Sequence, residues 1–302
     1  MKSLKARRVL SNAVIYLILA IMAVIWVSPI VWLIFQSFGF DIGVRSQFFP
    51  AFSTMTFDNY LKLFCEFTGV YPMDNNGNIV GDLNGLFDDW FLNTLVVAVS
   101  CCIISTLFVL GTAYALSRFR FKGRTLFMKI NLIIGMFPGF LGMIIMYWVM
   151  KEIFHLQGQY ASLIIIYSAG AAGGYYISKG YFDTISKSID EAAMIDGASK
   201  AHIFFNIILP LAKPIVIYTI LTSFMAPWGE YITASYIVGK ANTYQWTVGI
   251  GLYQMMSDIN RPTIYYTSFA AGSIVVAVPI VTLFFLLQKY YVSGVTGGAV
   301  KG

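Results

Sequence analysis

The residues from Ser186 to Pro210 read S-K-S-I-D-E-A-A-M-I-D-G-A-S-K-A-H-I-F-F-N-I-I-L-P, and their types suit docking rather than catalysis. Ser188-Ile189-Asp190-Glu191 has the S-x-x-E spacing of a capping box, which predicts a short helix starting there. Asp190 and Glu191 suit the positive end of that helix, and Ala192 and Ala193 continue it with almost no side chain. Gly197 fits its end, Ser199 can cap a second helix, and Pro210 closes that one. In the second helix Ile203, Phe204, Ile207 and Ile208 recur at helical spacing, so one face packs on something apolar. Two readings stay open on these residues alone: a knob for a partner protein, or a hairpin lying on a membrane surface.

A second constellation is Pro227-Trp228-Gly229-Glu230-Tyr231, which sets a carboxylate inside an apolar run. A charge at membrane depth costs several kcal/mol unless paired or hydrated, so Glu230 is either a pathway group or a residue at the outer interface. Gly135, Pro138, Gly139 and Gly142 interrupt another apolar run, as a packing kink or as a bend beside a transport path. Gly170 and Gly174 form a G-x-x-x-G face, expected to pack within the chain, with a subunit seam as the alternative. Tyr147, Trp148, Tyr167, Trp228 and Tyr231 offer rings and polar tips that suit a sugar.

Other chemistries lack their residues. No G-x-x-x-x-G-K-[ST] occurs to hold ATP, His155 and His202 are isolated, and Cys65, Cys101 and Cys102 have no C-x-x-C spacing. No nucleophile–base pair or metal set stands out, so an enzyme is not expected, and neither is a metal or a resident cofactor.

The elements that must position these residues are membrane helices. The 302 residues are 58% hydrophobic and 11% charged, far from the soluble average of about 25% charged. Six apolar runs approach the ~20 residues needed to cross a bilayer, near 13–38, 90–116, 127–150, 160–178, 214–238 and 268–288. Lipid offers no hydrogen-bond partner and nothing alternates like barrel strands, so the expected fold is all-α and polytopic. Fifteen of the twenty Lys and Arg fall on the side of the N-terminus and of Ser186–Pro210, against Arg45, Lys62, Lys151, Lys240 and Arg261 on the other. That bias places both termini and the 184–212 loop in the cytoplasm. The net charge of +6 is therefore topological, and nucleic-acid binding is not expected. The basic cluster Arg118, Arg120, Lys122 and Arg124 reads as a stop at the lipid headgroups. The first apolar run is too long for a signal peptide and reads as a retained span. The outer loop 39–89 carries a short amphipathic helix over 56–64 and a turn at Asn75–Asn78.

E-A-A-M-I-D-G followed by I-I-L-P resembles the EAA loop of ABC importer permeases, over the whole pattern from Glu191 to Pro210. D-N-Y-L-K-L-F (58–64), A-Y-A-L-S-R-F (113–119), I-S-K-G-Y-F-D-T-I (177–185) and Y-Y-V-S-G-V-T-G-G-A-V-K-G (290–302) are similar to the oligosaccharide branch, specifically to the second permease subunit of maltose/maltodextrin importers. The usual W-N-E is W-G-E here (228–230), and Asp74–Asn84 fits the family less closely. The resemblance implies a type I ABC importer permease fold over 1–302, in a bacterial cytoplasmic membrane. It implies a heterodimer with a second permease, two cytoplasmic ATPases that hold ATP and Mg, and an extracytoplasmic sugar-binding protein. Glu191, Ala192, Ala193, Asp196 and Gly197 would sit in a cleft of the ATPase. Pro138, Trp228, Glu230 and Tyr231 are the translocation-path candidates, and the tail 289–302 is expected to reach the ATPases. The alternative from another class is an ion-coupled secondary transporter using Glu230.

Overall fold

The computed structural model describes residues 2–39, 52–64, 85–137, 139–239, 242–257 and 265–299. They fall into two compact units, Met1–Leu86 with Gln254–Val275, and Phe87–Tyr253 with Val276–Gly302. All regular structure among the described residues is helical.

In the first unit, α1 (Lys2–Ser37) is apolar around its circumference, with Leu17, Val24 and Trp26 all exposed. A helix tolerates this when lipid surrounds it, because its backbone polar groups are satisfied internally. The carbonyls at its end are met by α2 (Asp58–Phe64), the short helix expected over 56–64. The Asn59 amide donates to the carbonyls of Ser37 (3.0 Å) and Gly39 (2.7 Å). Residues 40–51 and 65–84 of the outer loop, including Asn75–Asn78, lie outside the described residues.

The second unit is built around α3 (Phe87–Arg118), about 48 Å long at 1.5 Å per residue. Its buried positions Trp90, Thr94, Ala98, Cys101, Ser105, Val109, Ala113 and Ser117 recur every three or four residues along one stripe. Most are small, which lets neighbouring helices approach closely where lipid removes the usual hydrophobic drive. Leu92, Val96, Ile103 and Leu107 on the other side stay exposed.

Leu10–Ser37, Phe87–Arg118 and Tyr266–Tyr290 are long and apolar enough to cross a membrane unbroken. The other three expected runs fall on interrupted helices. The third is α4 (Arg124–Gly135) and α5 (Gly139–Trp148), the latter running into a π-helical turn to Ile153. Pro138, between them, lies outside the described residues. The fourth is α6 (Tyr160–Ala171), a 3₁₀ turn at Ala172–Gly174 and α7 (Tyr175–Thr184), longer than the sequence predicts.

Next come α8 (Lys187–Ile195) and a second arm made of α9 (Lys200–His202), a π-helical stretch Ile203–Ile208 and α10 (Leu209–Leu211). Pro210 cannot donate to the carbonyl of residue 206 and its ring crowds that carbonyl, a physical reason for the widened turn before it. The chain bends by 89° at Ala212. The fifth span is then α11 (Lys213–Met225), a 3₁₀ turn holding Pro227, and α12 (Ile232–Val238).

The sequence runs did not mark α13 (Val248–Ser257), which precedes α14 (Tyr266–Ala299). The start of α3 clamps the segment leading into α13. Trp90 Nε1 donates to the Thr243 carbonyl (2.8 Å), and Asn93 donates to the carbonyls of Tyr244 (2.8 Å) and Trp246 (3.0 Å). Thr94 Oγ1 accepts from the Val248 N–H (2.8 Å) and donates to the Trp90 carbonyl (2.8 Å). Thr94→Val keeps the shape but orphans the buried Val248 N–H, so a loss of about 1–3 kcal/mol is expected. Thermal unfolding of the purified protein in detergent measures it.

Candidate functional site

The loop between the fourth and fifth spans is a helical hairpin with capped ends. Ser186, rather than Ser188, is the N-cap of α8; its hydroxyl accepts from the Ser188 N–H (3.3 Å) and bonds the Ser188 hydroxyl (2.7 Å). The expected capping box does not form: Ser188 is already inside the first turn, and the residue three after Ser186 is Ile189, which has no carboxylate to reach back. At the other end the Gly197 N–H reaches the Met194 carbonyl (3.1 Å) and the Ala198 N–H reaches the Ala193 carbonyl (2.9 Å), a Schellman closure. Gly197 has φ +83° and open space where a Cβ would stand, so backbone conformation alone asks for glycine there. Ser199 caps the second arm through the His202 N–H (3.2 Å), as the sequence predicts.

The apolar stripe finds its partner inside the chain. Ile203, Phe204 and Ile208 pack with Tyr114, Leu116, Phe182 and Ala193 in one buried cluster. Ala193 is only 9% exposed. This corrects the expectation that both alanines form an outward knob: Ala193 is small because it fits against the protein's own core. Glu191, Ala192, Met194, Ile195 and Asp196 face outward, with Ile195 86% exposed.

Asp190 points the other way and is the anchor that sequence reasoning missed. Its Oδ2 lies 3.1 Å from Arg118 Nε, with the two side chains 10% and 5% exposed. Tyr114 donates to Asp190 Oδ1 (3.3 Å), and Arg118 Nη2 donates to the Ile185 carbonyl (3.0 Å). The Nε–Oδ2 contact is an ion pair rather than an aligned hydrogen bond, and Arg118 Nη1 is buried without a hydrogen-bond partner among the described residues. Arg118 is therefore no headgroup stop; it is the residue that ties α8 to α3. One residue earlier, Ser117 donates to Asp183 at the end of α7 (2.6 Å), which also meets Lys179 (2.5 Å). Lys200 lies over the Phe119 ring (4.8 Å), linking the second arm to the same end of α3.

The second constellation separates. Glu230 is half-buried, and its carboxylate accepts from the N–H groups of Thr233 (2.8 Å) and Ala234 (2.9 Å) and from the Tyr167 hydroxyl (2.7 Å). It satisfies the free donors at the start of α12, which Pro227 and Gly229 force to restart within the membrane. A Cβ on Gly249 would meet the Glu230 carbonyl oxygen at 2.7 Å, so only glycine lets α13 approach this turn. Glu230, Tyr167 and Gly170 border a cavity of ≈ 530 Å³. Trp228 does not reach it: the ring is buried against Phe91 and Phe224, because the 3₁₀ turn aims it into the core. Tyr231 stacks on Tyr253 at 3.7 Å, apart from Tyr147, which meets Tyr236. Gly170 and Gly174 touch nothing within 4 Å of a would-be Cβ, so packing within the chain is not their role.

Removing one member of a buried ion pair strands the other charge, whereas replacing both with apolar residues is nearly neutral. Arg118→Leu or Asp190→Leu is expected to cost about 3–5 kcal/mol, and the double variant to recover most of it. Thermal melts of the four proteins in detergent check this.

The family described as "Binding-protein-dependent transport system inner membrane component" matches residues 107–297. The galactooligosaccharides transport system permease protein GanQ of Bacillus subtilis is 35% identical, covering 99% of both chains. The maltodextrin transport system permease protein MdxG of the same organism is 35% identical over 98% of both. The fold is that of a solved chain from a bacterial ABC transporter involved in the import of the acidic polysaccharide alginate, with TM-score 0.71, 23% identity, 93% of this chain and 96% of that one. The capped hairpin, the broken spans and these likenesses agree: the chain belongs to the family of inner-membrane components of binding-protein-dependent transport systems, the permease subunits of ABC importers.

Proposed function

We propose that this permease is one of two in an ATP-driven importer of a neutral oligosaccharide, of the maltodextrin or galactooligosaccharide type, and that α8 couples it to a separate ATPase. The observation that carries the coupling role is the division of α8 into two faces. Asp190 and Ala193 are locked to the end of α3, while Glu191, Ala192, Ile195 and Asp196 are left outward on a helix capped at both ends. An element built this way moves as a rigid lever: a push on its outer face is delivered to α3 through Arg118. The sugar class is supported by the two relatives, whose names give galactooligosaccharides and maltodextrin as cargo.

The assembly consists of this chain, a second permease, two cytoplasmic ATPases that hold ATP and Mg, and an extracytoplasmic sugar-binding protein. Both termini lie in the cytoplasm, in line with the distribution of Lys and Arg. Closure of the ATPases on ATP drives α8 and with it the switch between inward- and outward-facing states. Gly197, exposed beside Asp196, sets the angle between the two arms. The ion-coupled alternative loses its site, since Glu230 is occupied as a helix cap by three donors.

Ala192→Trp adds bulk at the docking face and Ile195→Asp adds charge. Overpacking of about 1–3 kcal/mol corresponds to roughly 5- to 150-fold weaker association. ATPase copurification and sugar uptake are expected to fall while membrane insertion is kept. Normal uptake and normal ATPase recovery in both variants would remove the coupling role of α8.

A further inference from the structure

Two cavities along the spans of the second unit are alike in size but differ in their lining. One, ≈ 480 Å³, lies along α3, α11 and α14 and is walled by Phe91, Ile103, Phe224, Leu283 and similar side chains, with Thr282 as its one hydroxyl. The other, the ≈ 530 Å³ cavity beside Glu230, gathers Ser105, Tyr167, Tyr218, Thr222 and Thr233 around that carboxylate. Its volume falls within the ~300–1,000 Å³ of small-ligand sites. Hydroxyls in a membrane segment are kept where they bond to protein or line a polar path.

Three hydroxyls of the wall have a definite hydrogen-bonding sense. Thr222 donates its proton to the Tyr218 carbonyl (2.9 Å), Thr219 to the Ile215 carbonyl (2.9 Å) and Tyr167 to Glu230 (2.7 Å). Each such oxygen keeps lone pairs, so it accepts rather than donates. No Lys, Arg or His borders the space. An anion would face the Glu230 carboxylate with no cation to offset it, whereas a neutral ligand that both donates and accepts O–H bonds would be matched by the hydroxyls of the wall. The opposite side is Gly170, Ala171 and Gly174, where a Cβ on either glycine meets nothing within 4 Å. The glycines keep this room open.

We propose that this cavity is a passage subsite, within this chain, for a ring of a neutral sugar as it crosses the membrane. The inference rests on the importer reading above and adds that this subunit itself holds the sugar and selects against acidic saccharides. Thr222 and Thr219 accept from ring hydroxyls, Tyr218 offers a ring face and a hydroxyl, and Glu230 fixes the floor by holding α12 and Tyr167 in place.

The test uses the whole complex with its ATPases and binding protein in proteoliposomes, with maltotriose and a galactotriose as probes and sugar imported per ATP hydrolysed as the readout. Gly170→Leu fills the cavity. Gly173→Leu adds the same bulk at a neighbouring open position off the cavity. Import per ATP is expected to collapse in the first and hold in the second, and Thr222→Val, losing one acceptor, to lower it about fivefold. Unchanged import in Gly170→Leu, or equal loss in both leucine variants, would overturn the subsite. Loss of copurification with the second permease in Gly170→Leu would also overturn it, by showing that a partner helix fills the space. A wild-type complex that imports neither probe with ATP would instead overturn the importer reading, and this inference with it.

Discussion

A guanidinium and a carboxylate withdrawn from water are tolerable only when they face each other, and Arg118 and Asp190 do so at 3.1 Å. Neither could be buried alone. The pair therefore obliges the end of the second span and the first arm of the loop to keep one geometry. Tyr114 and the Ile185 carbonyl complete the setting, and the aromatic and aliphatic cluster of Tyr114, Phe182, Phe204 and Ile208 shields it. The loop is outside the apolar runs yet behaves as part of the bundle. Its caps at Ser186, Gly197 and Ser199 fix its length and its turn, and the ion pair fixes its attachment.

The membrane imposes a second constraint, that each backbone donor be met within the protein. Where the fifth span breaks at Pro227, the loose N–H groups of the restarted helix would be costly, and Glu230 meets them. A carboxylate that would be an extravagance in lipid is here held by two amides and a tyrosine hydroxyl. The cavity that holds several hydroxyls lies beside this break. Glu230 thus both satisfies the restarted helix and borders the cavity beside it.

Much of this was legible in the residues. Each of the six apolar runs fell on helix, three of them long and unbroken enough to cross a membrane, and Gly197 and Ser199 signalled the turn of the hairpin because backbone conformation and capping are local. The stripe of Ile203, Phe204, Ile207 and Ile208 was visible at its spacing. What stayed hidden was long-range. Arg118 looks like one of several headgroup charges until the fold brings Asp190 against it from 72 positions away. Ala193 and Ala192 are the same residue type, and only packing tells the inner from the outer. Glu230 stood out as a charge, but its role as a cap depends on where α12 restarts. The helix Val248–Ser257 escaped notice because it is short and lies between spans. Trp228 suggested a path by type, yet the turn before it sends the ring inward.

In the proposed scheme Arg118 and Asp190 carry the stroke of the ATPase into the second span. Reversing the charges one at a time and then together separates that role from general stability. Sugar import per ATP hydrolysed would be measured in the reconstituted complex bearing Arg118→Asp, Asp190→Arg, or both. The expected result is ATP hydrolysis uncoupled from import in each single variant and coupling partly regained in the double. Full coupling in both single variants would contradict it.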